Sequence, residues 1–316
     1  MEFIMWFNNA LIFQFERDKT CELAELLVEE RLKPCPPHAR FIYGWLPVFN
    51  EELSLDTAEC SLVCLGKEER ILPRGVVKRI LAERVQLFEA QHNRSMKRAQ
   101  KAQLAEELEF ELLPKAFCLQ KRLPAIIDYS SNRLIINTAS NTQATQLIAL
   151  LRKSIPGLSI EPLQQPENLA MRFANWINNP LSLPANFQLA SDCLLFSMDD
   201  ESKRFSCKGY ELPADEITTL LAQGLAASEI SIIWNERIQL TLTHNFVLKK
   251  LKCLDYLVDE FNDIHKQEEE DQQQVAALTL LTGELRGLVN DLMNDFTAPM
   301  NTIPQSIEPQ VIARQN

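Results

Sequence analysis

Between Arg74 and Leu113 the chain runs without a proline, and its single glycine there is Gly75 at the start. Helix formers dominate this stretch and Pro114 stops it. As one continuous helix it would reach about 60 Å. That is long for a packed domain, so the better expectation is a helical hairpin turning near His92-Asn93. The apolar residues show which parts are anchored. Val77, Ile80, Leu81, Val85 and Phe88 supply a core face at one end, and Leu104, Leu108, Leu112 and Leu113 at the other. Between Glu89 and Gln103 the only large apolar residue is Met96. Segment 74–113 is therefore expected to stand out from the body as an arm.

The arm is also where basic charge collects. The chain carries 43 acidic and 32 basic side chains, a net charge of −11, which argues against a surface coated in nucleic acid. Position matters more than the sum. Lys78 to Lys101 holds seven basic residues against Glu83 and Glu89, whereas Asp255 to Asp271 holds eight acids against Lys266. Arg94, Lys97, Arg98 and Lys101 are spaced i, i+3, i+4, i+7, which on a helix puts all four on one face. Such a stripe suits successive phosphates, where each neutralised charge releases a counterion. Equally, it suits a solvated face with ordinary ion pairs. Smaller basic clusters lie at Lys121-Arg122, at Lys203-Arg204 with Lys208, and at Lys249-Lys250 with Lys252. They form a continuous positive surface only if the fold brings them to one side.

Several function classes are disfavoured. With eight glycines in the chain and only Gly283 and Gly287 close together, no phosphate-cradling or dinucleotide loop can be written. The eight cysteines include no C-x-x-C, and the four histidines are not paired at ligand spacing, so no metal or other cofactor is expected. Cys60 and Cys64 fall on one face of a strand, which reads as packing. Asp199-Asp200-Glu201 and Asp128 read as turn chemistry rather than as catalytic carboxylates, and His244 falls in a hairpin turn. No enzymatic activity, small-molecule substrate or membrane span is expected, and the absence of a basic leader predicts a cytoplasmic protein.

Elsewhere strands are expected at 3–15, 41–49 and 59–66, followed after the arm by two strands in LPAIIDYSSNRLIINTAS joined across Ser-Ser-Asn. Helices are expected at 20–32 and from a Ser140/Gln143 capping box to about Ser154, and LSIEPL reads as a strand. The second half reads as a helix near 166–178, strands near 187–198 and 203–210, and a helix at 214–223. Strands ISIIWNE, RIQLTLT and FVLKKLKC follow, then an acidic helix over 255–272 and an amphipathic one at 275–294. Strands and helices mix without strict alternation, so the fold class is α+β. The division is a central α+β domain at 1–73 and 114–165, the arm at 74–113, a second α+β domain at 166–295, and a disordered tail at 296–316.

Eight strings are recognisable together: MWFNNALIFQF at 5–15, GWLPV at 44–48, KEERILP at 67–73, LLPKAF at 112–117, LIALLRKSIPGL at 147–158, WNERIQLTL at 234–242, LKKLKC at 248–253 and LTGELRGLV at 281–289. In order and spacing they resemble the RdgC family of bacterial recombination-associated proteins over roughly 4–295. The resemblance implies a nucleoid-associated protein that binds double-stranded DNA with little sequence preference and acts against RecA-promoted strand exchange. It also implies a ring-shaped homodimer, with mixed sheets, packed helices and the arm around a positively lined hole. By position Phe117 of LLPKAF would be an apolar contact at a dimer interface, though as a residue it is equally a core phenylalanine just past a helix end. Lys115 would lie near the mouth of the hole. In FSCKGYEL the family is richer in lysine, and here Lys208 precedes Gly209 and Tyr210. The competing class is a protein-interaction module working through the acidic 255–271 face.

Overall fold

The computed structural model describes residues 6–16, 23–164, 168–197, 200, 202–209, 212, 214–264, 266 and 269–297. Its first half comprises β1 (Asn9–Glu16), α1 (Leu23–Leu27), β2 (Phe41–Leu46), β3 (Ser54–Asp56), β4 (Cys60–Ile71), α2 (Arg74–His92) and α3 (Arg98–Leu112). Then come β5 (Phe117–Asp128), β6 (Arg133–Ile136), α4 (Asn141–Ser154), β7 (Ser159–Pro162) and α5 (Leu169–Asn178). The rest is β8 (Phe187–Ser197), β9 (Arg204–Cys207), α6 (Asp215–Ala222), β10 (Leu225–Trp234), β11 (Ile238–Thr243), β12 (Leu248–Cys253), α7 (Asp255–Ile264) and α8 (Glu270–Thr297). The molecule mixes helices with a sheet whose named strands all pair antiparallel.

The strands run in the order β2-β4-β5-β6-β1-β12-β11-β10-β8-β9, with β3 on β4 and β7 on β1. β1 is the hub. Asn9 and Ala10 pair with β12, Leu11 to Gln14 pair with β6, and Phe13 to Glu16 pair with β7. Because side chains alternate along a strand, the sheet around β1 buries both faces. Ala10, Ile12, Cys60, Leu62, Ile126 and Ile135 point into a cluster with Phe173 of α5, Ile217 of α6 and Leu281, Leu285 and Leu288 of α8. Leu11, Phe15, Val63, Leu65, Ile127 and Leu134 face the other way, under Leu147 and Leu151 of α4 and against Trp45 and Leu27. The first cluster thus draws on strands before residue 137 and on helices after residue 168.

Local chemistry explains the boundaries. Ser140 Oγ accepts from Gln143 N–H at 3.5 Å and starts α4, while Gln143 turns its own side chain to Thr138 Oγ1 at 2.5 Å. Only the Ser140 half of the capping box forms. Asp128 holds the turn before β6 by accepting from Ser130 N–H (3.1 Å) and Ser131 Oγ (2.5 Å). Cys60 and Cys64 are both buried, as packing requires.

Several expected elements shift. β1 begins at Asn9, residues 6–8 of the expected strand being non-strand and 3–5 lying outside the described residues. Within the helix expected over 20–32 the described helical part is the short α1 with a 3-10 turn at Val28–Glu30. The acidic helix expected over 255–272 ends at Ile264, where Lys266 N–H bonds to Asp263 O at 3.2 Å and its Nζ takes Asp263 Oδ1 at 2.6 Å. Much of the tail at 296–316 lies outside the described residues.

The arm is a hairpin, as the expected turn at His92-Asn93 requires. α2 ends at His92, and Asn93 adopts the left-handed conformation (φ 50°) that asparagine tolerates. The buried arm residues Val77, Val85 and Leu108 belong to neither core cluster. α2 and α3 pack chiefly on each other. The base of α3 touches the body through the His38–Phe110 ring stack (4.0 Å) and the Arg40–Glu109 ion pair, so it is the tip of the hairpin that stands away from the body.

Candidate nucleic-acid interface

Breaking the helix at Asn93 changes what the basic stripe can be. Arg94 sits in the turn with its guanidinium 5.6 Å from the Phe88 ring centroid, and Lys97 is the residue that caps α3. Of the four, only Arg98 and Lys101 lie within a helix. The single-face stripe expected from the spacing is therefore not formed. The turn runs on through an extended Lys97 before α3 starts at Arg98, so Arg94 and Lys97 lie off the helical axis that i, i+4 spacing assumes. All four side chains still gather at the outer end of the hairpin. Arg94, Lys97 and Arg98 are exposed, and Lys101 meets Glu89 at 3.4 Å. Glu89 also accepts from Met96 N–H at 3.0 Å, and this bond, with Lys101 second, holds its carboxyl below the ordinary carboxylate value. Lys97 and Arg98 have no acidic partner within 4 Å among the described residues.

At the foot of the hairpin the basic groups are already engaged. Lys115 meets Glu111 at 3.6 Å, and Glu111 is held by Arg84 at 2.7 Å. Arg84 first and Lys115 after it depress the Glu111 carboxyl. Arg70 fixes the junction by donating to Cys35 O (2.9 Å), Pro36 O (3.1 Å) and Ala116 O (3.2 Å). The sequence carries no sign of this role, because the partners are carbonyls that no side-chain pattern reveals. Lys67 belongs with these groups and is equally unmarked. It stands opposite Lys121 on the β4–β5 ribbon, and both reach Glu69, at 3.1 and 3.0 Å. Together they hold that carboxyl low, Lys121 first. Arg122, one residue on, points to the opposite face and donates to Pro47 O at 2.7 Å.

Two clusters remain. Lys203-Arg204 with Lys208 lies on and beside β9, at the far end of the sheet order from β2, β4 and β5. Lys249-Lys250 with Lys252 lies on β12, between them in that order. Lys203, Arg204 and Lys208 are exposed, Lys203 lies 3.7 Å from Asp200, and Arg204 lines a cavity of about 690 Å³ with His244 and Lys249. Tyr210 lies outside the described residues. Within one chain, the basic groups thus sit at the arm's tip, on the β4–β5 ribbon, on β12 and at the β9 end of the sheet.

The ribbon also has an open side. β6 pairs only with Ala125–Asp128, so residues 117–123 of β5 have β4 on one edge and no strand on the other among the described residues. On one face of this ribbon lie Phe117 (87% exposed), Ile71 (45%), Leu119 (44%) and Phe41 (49%). Phe117 is not a core phenylalanine.

Comparison with known proteins gives the chain a family. The family model described as "Putative exonuclease, RdgC" matches residues 5–298. This chain belongs to the RdgC family. The recombination-associated protein RdgC of Pseudoalteromonas translucida is 32% identical over 270 residues, covering 84% of this chain and 89% of the relative. Those of Psychromonas ingrahamii (31% over 298 residues, 92% and 98% covered) and Salmonella newport (29% over 296 residues, 92% and 97%) match nearly end to end. The family description names an exonuclease whereas the relatives are named for recombination, so family membership leaves catalysis open. Among the described residues no group of three or more His, Cys, Asp or Glu side chains could hold a metal ion, and no helix is long and apolar enough to cross a membrane.

Proposed function

We propose that this chain binds double-stranded DNA without reading its sequence, as a ring-like homodimer that clamps the duplex through phosphate contacts and so restrains RecA-promoted strand exchange. The observation that carries the reading is the projecting hairpin tip, where Arg94, Lys97 and Arg98 are exposed in a chain of net charge −11. Phosphate contacts position a protein without specifying sequence. A second copy meets the open β5 edge, where Phe117, Leu119 and Ile71 offer apolar area and the strand offers an edge that no other strand covers among the described residues. Two copies so joined bring two tips and two β9 edges around one duplex, uniting clusters that a single chain keeps apart. Occupancy of the duplex denies RecA its homologous partner, which needs no chemistry. The expected setting is the cytoplasmic nucleoid.

Fluorescence anisotropy of random-sequence duplex DNA across salt tests this. Affinity should fall steeply, with a log–log slope of about 0.9 per phosphate engaged. Replacing Arg94, Lys97, Arg98 and Lys101 with alanine should flatten that slope and weaken all sequences equally. No binding at low salt would sink the reading. Supercoiled plasmid incubated with Mg²⁺ or Mn²⁺ should stay intact, and nicking would move the chain toward the exonuclease description.

A second reading rests on α7, where Tyr256 (70% exposed) and Val258 (40%) stand beside Asp255, Asp259 and Asp263. That face suits a basic protein partner. Binding lost on neutralising these acids, but indifferent to the arm, would favour it.

A further inference from the structure

β9 is four residues long, lies at the end of the sheet order and is paired to β8. Its last residue, Cys207, stands directly opposite Cys193 of β8. Both are free thiols. We propose that Cys193 and Cys207 form a site of reversible thiol oxidation, closing to a cross-strand disulfide when a hydroperoxide is the oxidant.

The ladder sets the distance. Ser197 N–H donates to Lys203 O at 3.1 Å. Counting by twos from that bond makes Cys193 and Cys207 a hydrogen-bonded pair, for which Cα atoms lie about 5.5 Å apart. Disulfides accept Cα separations of about 4.4–6.8 Å. Opposed Cβ atoms lie about 4.5–5.5 Å apart in a sheet, against about 3.8 Å in a disulfide. Closing the bond therefore draws the strands together by about 1 Å, a movement available to a short edge strand. A cross-link made under such strain is readily reduced again.

The two sulfurs differ in a way that orders the chemistry. Cys193 is 5% exposed, and burial, with Cys207 close beside it, pushes its thiol up to about 12. Cys207 is half-exposed and meets the oxidant first. Its sulfur attacks one peroxide oxygen, the O–O bond breaks, and hydroxide leaves, giving a sulfenic acid. Cys193 sulfur then displaces hydroxide from the Cys207 sulfur. The departing hydroxide takes the Cys193 proton as water. Two thiols and one hydrogen peroxide become one disulfide and two waters.

Cross-linking would pin β9 at the end opposite its connection to β8, where Gly209 N–H already donates to Asp192 Oδ1 at 3.0 Å. This chemistry does not depend on the DNA reading and can fail or hold separately from it.

The test is peptide mapping of the full chain after brief exposure to stoichiometric hydrogen peroxide and alkylation of the remaining thiols. The expected product is a peptide containing Cys193 joined to one containing Cys207, separated again by dithiothreitol. Hydrogen exchange of the β9 amides should slow at least tenfold in the oxidised form. Cys207→Ser should abolish the link and leave Cys193 alkylatable after unfolding. If that variant fails to fold, Cys193→Ala should stop Cys207 at the sulfenic acid, detectable by dimedone. Exposed Cys118 reports that oxidant reached the protein. Over-oxidation of Cys207 with Cys193 left as a free thiol would overturn the proposal, as would cross-links involving only Cys118.

Discussion

In the body, Asp128 is wholly buried and meets Arg286 through two bonds of 2.8 Å, with Glu59 adding a third at 2.7 Å. At the hairpin tip, Glu89 and Lys101 lie 3.4 Å apart and are both partly exposed to solvent. The first arrangement ties α8 to the turn after β5 across 158 residues of sequence. The second crosses a turn of a few residues. Breaking a buried pair strands a charge, whereas exposed pairs contribute little because water and salt screen them. The body is therefore specified by burial, while the tip of the arm is held by local contacts that leave its cations available.

The largest effect should come from Arg286→Met, which leaves Asp128 buried without its partner. A loss of about 3–5 kcal/mol is expected, read as a lower urea midpoint for the whole chain. Adding Asp128→Asn should recover part of it, and no recovery would mean that the pair's geometry, not its charge, holds α8. Next, Leu108→Ala removes a fully buried side chain from the arm. About 2–4 kcal/mol is expected, but confined to the hairpin. Helical circular dichroism should fall while the body's unfolding transition stays put, and a shifted body transition would contradict the separation of arm from body.

The smallest effect is one of pH. Glu69, Glu89 and Glu111 all have carboxyls depressed below the ordinary 4.5, through Lys121, the Met96 N–H and Arg84 respectively. A depressed carboxyl stabilises above its unfolded value and stops doing so as pH falls through the folded one. Amide protection in the hairpin and ribbon, corrected for the pH dependence of intrinsic exchange, should therefore be steady from neutral pH down to about the ordinary carboxylate value and fall below it. Glu89→Gln should produce the tip's share of this loosening at neutral pH.

Much of the arm and the first half of the fold is legible in the amino-acid sequence. His92-Asn93 marks the turn because asparagine tolerates the left-handed conformation, and Ser140 marks a helix start. The same turn is incompatible with a four-residue stripe, and the chain adopts the turn. Lys67–Ile71 and residues 117–122 are harder to read because that ribbon leaves the body. With little core to face, its strands carry charges where alternation would show apolar residues. The joining of β1 to β12 and of Asp128 to Arg286 has no local sign at all, since each depends on residues more than 150 positions away.

β1 also sets a schedule. Its edge is completed only when Leu248 and Lys249 arrive opposite Ala10 and Asn9. Closing a loop of that length costs chain entropy before any contact rewards it, and such non-local pairing slows folding. During synthesis, β4, β5 and β6 can assemble early on their own hairpins. The first strand to be made must wait with an unfinished edge until some 250 residues have left the ribosome. A chaperone that covers that edge, or a pause in translation, should act on this protein before its last two helices appear.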